Sequence, residues 1–111
     1  MECKVKRKGD VAIMALVGSI GTKESLVTFK QNIERVVGLG IKQIILNLEK
    51  FEYIDSSGLG RWIMLEQELA EKGGTLKAVH VSENILSVLK ITRLDEIIKI
   101  YPDEQSALQD T

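Results

Sequence analysis

The run Ile41-Lys42-Gln43-Ile44-Ile45-Leu46-Asn47-Leu48 constrains the fold more than any other stretch of this chain. Three consecutive aliphatic residues at its centre leave no side for water, so a strand made of them must be covered on both faces, as in a parallel sheet. Parallel neighbours need crossovers, and the segment before this run can supply one. Leu26, Phe29, Ile33 and Val36 or Val37 recur at spacings of three and four, which predicts an amphipathic helix. Thr22 is placed to cap its start, and Gly38 or Gly40 to end it. A strand, a helix and a strand in this order imply a right-handed crossover.

The rest of the chain extends the same scheme. Met1 to Arg7 alternates Cys3, Val5 and Arg7 with Glu2, Lys4 and Lys6, and Val11 to Val17 is dense in aliphatic residues after Lys8-Gly9-Asp10. That pattern predicts an antiparallel hairpin whose lysines suit an exposed edge strand, where charge discourages pairing with a second molecule. Gly18 to Gly21 breaks the pattern. A second helix is expected from about Ser56 to Lys72, ending at Gly73-Gly74, with a strand from Thr75 to Val81. Ser82 can cap a short helix carrying Ile85, Leu86 and Leu89; Ile97 to Tyr101 reads as a short strand, and Pro102-Asp103 starts a last helix through Ala107 and Leu108. The expectation is one α/β domain over residues 1–111: a mixed, mostly parallel sheet of four to five strands, an N-terminal antiparallel hairpin and about four helices.

Charge and hydropathy narrow the partners. Fifteen lysines and arginines against sixteen aspartates and glutamates give a net charge of −1, without the basic footprint that binding a phosphate backbone requires, so no nucleic acid is expected. The longest apolar run, Val11 to Val17, is far below the ~18 residues of a spanning helix, so no membrane insertion is expected either. A single cysteine, Cys3, cannot form an internal disulfide, and no apolar signal core follows the N-terminus; the cytoplasm is the expected compartment.

The candidate site is Tyr53-Ile54-Asp55-Ser56-Ser57-Gly58-Leu59-Gly60, where an acid, two hydroxyls and two glycines stand at the start of the second helix. With Asp55 as N-cap, its carboxylate can accept from the N–H of Ser57 or Gly58, and Ser56 takes the first helical position with its hydroxyl near solvent. The unpaired N–H groups and positive dipole end of that first turn hold a negative group, so Ser56 is the candidate phosphorylation site, supported by Asp55, Ser57 and Gly58. A capped helix start explains the aspartate but not the glycines, since each costs ~1 kcal/mol against alanine in a helix interior. Gly58 and Gly60 are therefore expected to leave backbone open to a partner or a phosphoryl group. Further along, Leu59, Trp62, Ile63, Leu69 and Ala70 form one apolar arc, with Glu66 inside it and Met64 well outside. Ser56, Ser57, Gly58, Gly60, Arg61 and Met64 make up the expected partner-binding surface.

Catalysis finds little support. The only histidine, His80, stands at a strand's end. A triad of Ser56, His80 and Asp55 lacks the Gly-x-Ser-x-Gly elbow, and one cysteine with one histidine cannot build a metal site. Gly18-Ser19-Ile20-Gly21 and Gly38-Leu39-Gly40 lack the spacing of a phosphate loop. No enzyme activity and no cofactor are expected.

The stretch Tyr53 to Gly60, following the strand Ile44 to Leu48, closely resembles the motif of the STAS domain in bacterial anti-sigma-factor antagonists. Ile91-Thr92-Arg93-Leu94-Asp95-Glu96-Ile97, then Ile100-Tyr101-Pro102-Asp103-Glu104 with Ala107-Leu108, resembles that family's C-terminal signature, and Gly73-Gly74 before a strand also fits. The resemblance implies partner switching. In that family the unphosphorylated antagonist binds an anti-sigma factor that is itself a serine kinase, freeing a sigma factor; the kinase phosphorylates the serine after the motif aspartate, here Ser56, and a PP2C-type phosphatase removes the group. ATP, magnesium and the phosphatase's metal belong to those partners. The chain departs from the family pattern at Gly18-Ser19-Ile20-Gly21, where many members carry an aspartate; at Asn47, in place of an acid; and at Arg61-Trp62, bulkier than the usual small aliphatic pair. The competing expectation within the same family is a docking subunit of a lipid-transport ATPase or of a signalling complex, without a phosphorylation switch.

Overall fold

The computed structural model describes residues 1–110. Strands β1 (Glu2–Lys8) and β2 (Val11–Ile20) form the antiparallel hairpin, with Gly9 at the turn in a left-handed conformation, φ +59°. Helix α1 (Lys23–Gly38) crosses to β3 (Gln43–Asn47), which pairs with β2 in parallel, Ala12 opposite Ile44 and Met14 opposite Leu46. Then come β4 (Phe51–Ile54), α2 (Ser56–Glu71), β5 (Thr75–Val79), α3 (Glu83–Ile91), a 3₁₀ turn (Leu94–Glu96), β6 (Lys99–Tyr101) and α4 (Glu104–Gln109). The main sheet runs β1-β2-β3-β5-β6, and β4 pairs separately with the end of β2.

Thr22 caps α1 as expected: its hydroxyl accepts from the Ser25 N–H at 3.1 Å, and Ser25 Oγ accepts in turn from the Thr22 N–H at 3.0 Å. Each satisfies a donor the helix start would otherwise leave unpaired. Helix α1 gives way at Leu39, and Gly40 takes the left-handed conformation, φ +83°.

The consecutive Ile44-Ile45-Leu46 is covered on both faces. Ile44 and Leu46 join Ala12, Met14, Leu76 and Ala78 beneath α1, α2 and α3, whereas Ile45 joins Ile13 and Val79 beneath α4. One face thus carries three helices and most of the core. The other carries a helix of six residues, with Ala107 fully buried. The edge strand β1 exposes Lys4, Lys6 and Lys8, and Lys6 forms an ion pair with Glu104 of α4 at 3.1 Å.

Four local expectations are corrected. Gly18 does not break β2, because the strand continues to Ile20 with Gly18 at φ +102° and a register shift between Gly18 and Ser19. The short strand β4 was not apparent in the pattern: Phe51-Glu52-Tyr53-Ile54 buries its two ends and exposes its middle, and so shows no alternation. It brings the sheet to six strands. The strand toward Val81 stops at Val79, where His80 turns left-handed at φ +53°. The buried stripe of α2 is Gly58, Trp62, Leu65 and Leu69; Leu59 and Ile63 flank it, and Ala70 is exposed. The arc is rotated toward Leu65, because Trp62 points straight inward between Phe29 and Phe51, at ring-centre distances of 6.4 and 5.8 Å.

Candidate functional site

Asp55 closes β4 and opens α2. Its backbone N–H donates to Ile20 O at 2.8 Å, fixing the turn to the end of β2, and its extended conformation (φ −90°, ψ −179°) is that of an N-cap. Its carboxylate accepts from the Gly58 N–H at 2.9 Å, and its carbonyl accepts from the Leu59 N–H at 3.0 Å. The Leu59 bond is the first regular bond of the helix, and of the four donors before it two are paired, the Asp55 N–H on Ile20 O and the Gly58 N–H on the Asp55 carboxylate. Among the described residues the N–H groups of Ser56 and Ser57 have no protein acceptor. Both serines are exposed.

The two glycines of the motif turn out to differ. Gly60 lies open, and a Cβ placed on it meets nothing within 4 Å. Gly58 is buried, contrary to the open backbone expected for it. A Cβ there falls 2.7 Å from Ile54 Cγ1 and 2.8 Å from Ile20 Cγ2, so glycine is demanded by the packing of α2 against the ends of β2 and β4. Its support of the site is internal, through the N–H given to Asp55.

The remaining residues divide in the same way. Met64 is 52% exposed on the outer side of α2, consistent with a place on a docking surface. Arg61 is mostly withdrawn: its side chain is 11% exposed, Nη1 pairs with Glu68 at 3.3 Å, and Nε is buried without a protein acceptor among the described residues. A partner can reach little of it. Trp62 is wholly buried, which explains the bulk after the motif as core.

Two features of this end were missed. Tyr53 is 56% exposed, and its ring lies over Gly21, where a Cβ would come within 3.1 Å of it. The absence of a side chain at Gly21 makes room for that ring. Asn47 does not address the site; its Nδ2 donates to Glu104 Oε2 at 2.6 Å, joining β3 to α4. His80 has Glu49 as its nearest carboxylate, at 4.0 Å. No helix of the described residues is long and apolar enough to cross a membrane.

Comparison with known proteins agrees with this geometry. Residues 2–107 match the STAS domain family. A Thermotoga neapolitana homologue of TM1081 is 30% identical over 91% of this chain and 89% of its own length. The anti-sigma F factor antagonist of Paenibacillus polymyxa is 26% identical over 97% of this chain and 92% of its own. The solution structure of TM1081 from Thermotoga maritima superimposes with a TM-score of 0.86 at 29% identity, over 96% of this chain and 85% of that one. With its fold, its capped serine motif and its near full-length match all in agreement, the chain belongs to the STAS domain family, among relatives that include anti-sigma factor antagonists.

Proposed function

We propose that this chain is an anti-sigma-factor antagonist that binds an anti-sigma serine kinase while the Ser56 hydroxyl is free, and is released when that hydroxyl is phosphorylated. A PP2C-type phosphatase returns it to the binding form. The observation that carries this reading is the exposed hydroxyl at the first position of a sixteen-residue helix, beside two N–H groups without a protein acceptor among the described residues. The dipole and free donors compensate an added dianion within the domain, so the fold survives modification. At an interface the same dianion sits beside the Asp55 carboxylate and must shed its water, so binding is lost. The exposed Tyr53, Ser56, Ser57 and Met64, with the half-buried Gly60 among them, offer the docking surface, and the chain contributes no catalytic step of its own.

Incubation with an anti-sigma serine kinase and Mg-ATP is expected to add one phosphate, located at Ser56 by mass spectrometry. Ser56→Ala should bind that kinase constitutively, whereas the phosphorylated protein should bind about a hundredfold or more weakly, since each 1.4 kcal/mol is tenfold. Equal affinity of the free and phosphorylated forms, measured by calorimetry, overturns the proposal.

A further inference from the structure

On the α4 side of the sheet, at the end opposite Ser56, lies a cavity of about 370 Å³. It is lined by the first residues of four strands, Val11, Gln43, Thr75 and Lys99, whereas Ser56 follows the last residue pair of β2 and β4, Ile20 and Ile54. Its size falls within the range of small-molecule sites, and its walls mix apolar and charged groups.

Lys77 is the unusual member of the lining. It is only 7% exposed, and its ammonium donates to Ala107 O at 2.7 Å and to Asp110 O, the last carbonyls around α4. An ammonium has three donors, so one is left without a protein acceptor among the described residues. Burial, with Lys99 adding to it, pushes the Lys77 pKa below its ordinary value, while Asp110 opposes the shift; an added negative group nearby relieves the strain on the charged form. Lys99 also faces the cavity and makes no ion pair among the described residues. Asp110 is engaged, its carboxylate accepting from the Tyr101 hydroxyl.

The lining selects among anions. Asp10 and Asp110 in the lining oppose a dianion such as phosphate, and among the described residues no helix N-terminus lines the cavity to offer it amides. Val11 and Leu108 are only partly buried and offer an apolar body something to pack on, with Ile45 behind them. We propose that this cavity binds a small aliphatic monocarboxylate, its carboxylate between Lys77 and Lys99 and its chain against Val11, Ile45 and Leu108. The site is independent of the Ser56 switch, and failure of either leaves the other standing.

The test is a titration of the ¹⁵N-labelled full chain with hexanoate, followed by amide chemical shifts, with 1-hexanol and inorganic phosphate as controls. Hexanoate is expected to give saturable shifts at Gln43, Ile45, Lys77 and Leu108. Hexanol should bind about tenfold more weakly there for want of the charge-assisted bond, and phosphate should leave these amides unmoved. Lys99→Gln, at an exposed position, and Lys77→Met should each weaken hexanoate about tenfold; if Lys77→Met does not fold, Lys99→Gln decides alone. Ser56→Ala should leave hexanoate binding unchanged. Shifts that never saturate or cluster elsewhere, hexanol or phosphate matching hexanoate at these amides, or a Lys99→Gln protein that binds as tightly as the parent, each overturn the proposal.

Discussion

Gly58→Ala tests whether the glycine of the motif serves the fold or the partner. An added Cβ meets Ile54 Cγ1 at 2.7 Å, Ile20 Cγ2 at 2.8 Å and Ile54 Cδ1 at 3.1 Å. Ile20 is 0% and Ile54 4% exposed, and the clashing atoms belong to β-branched side chains near the backbone, so neither can swing away. Overpacking of this kind costs about 2–3 kcal/mol, while alanine in a helix returns about 1 kcal/mol over glycine, leaving a net loss of about 1–2 kcal/mol. For a chain of this size that lowers the melting temperature by roughly 4–8 °C. Gly60→Ala is the matched control. With nothing within 4 Å of its Cβ it meets no clash, and it should gain about 0.5–1 kcal/mol from propensity alone. Thermal and urea denaturation of the two variants, followed by circular dichroism, separates these signs. A Gly58→Ala protein that melts at or above the parent temperature refutes the packing argument and returns Gly58 to the docking surface.

Gly74→Ala should be worse, with a loss of about 3 kcal/mol or more, because the new Cβ lands 2.0 Å from the carbonyl oxygen of Lys42, a backbone atom that cannot yield; a near-native urea midpoint would count against it. Asp55→Ala should lose about 1 kcal/mol from the cap given to the Gly58 N–H, and Asp55→Asn should keep most of it, as chemical denaturation can show. Acid should loosen α4 first. The hydrogen bond from Asn47 and then the Lys6 ammonium hold the Glu104 carboxyl below the ordinary glutamate value, so the stabilisation is present above that ordinary value and is lost as pH falls through the lower folded one. Amide protection in Glu104 to Gln109 should therefore drop as pH falls below the ordinary glutamate range, and Glu104→Gln should begin looser and show less of that dependence; identical profiles for the two proteins would remove Glu104 as the cause.

The parts of this fold legible in the sequence were those where one local signal dominated. Ile44-Ile45-Leu46 could only be a strand covered on both faces, and Thr22, Asp55 and Ser82 each stood at the cap of a helix whose apolar spacing was clear. The illegible parts depend on contacts distant in sequence. Phe51-Glu52-Tyr53-Ile54 is too short and too mixed to declare itself, and exists as a strand because the end of β2 offers Gly18 to Ile20 as a partner. Gly58 and Gly60 read alike in the chain, and only the positions of Ile20 and Ile54 tell them apart. Arg61 and Met64 show the same limit, since which side of α2 was buried depended on where Trp62 found its pocket between Phe29 and Phe51. Lys77 gave no sign at all: in the sequence it is one lysine in a strand, and its burial is created by α4, thirty residues on.

The placement of the serine motif follows from the unequal strand lengths. β2 has ten residues and β3 five, so β3 pairs Val11 to Ala15 and leaves the end of β2 without that neighbour. The register shift at Gly18/Ser19 turns this free end toward β4, whose last residue, Ile54, sits opposite Ile20. Asp55 then binds Ile20 O and starts α2 at the rim, past the end of β3. A charge added at Ser56 thus meets solvent outside and the positive end of a sixteen-residue helix within, while the nearest core contact, Gly58 on Ile20 and Ile54, carries no side chain to disturb. The geometry that confines Gly58 to the interior is what leaves Ser56 outside it, so tight packing at one residue and exposure of the other are two consequences of a single turn. On the function proposed above, a phosphoryl group there would change what can approach this rim and leave the sheet as it was.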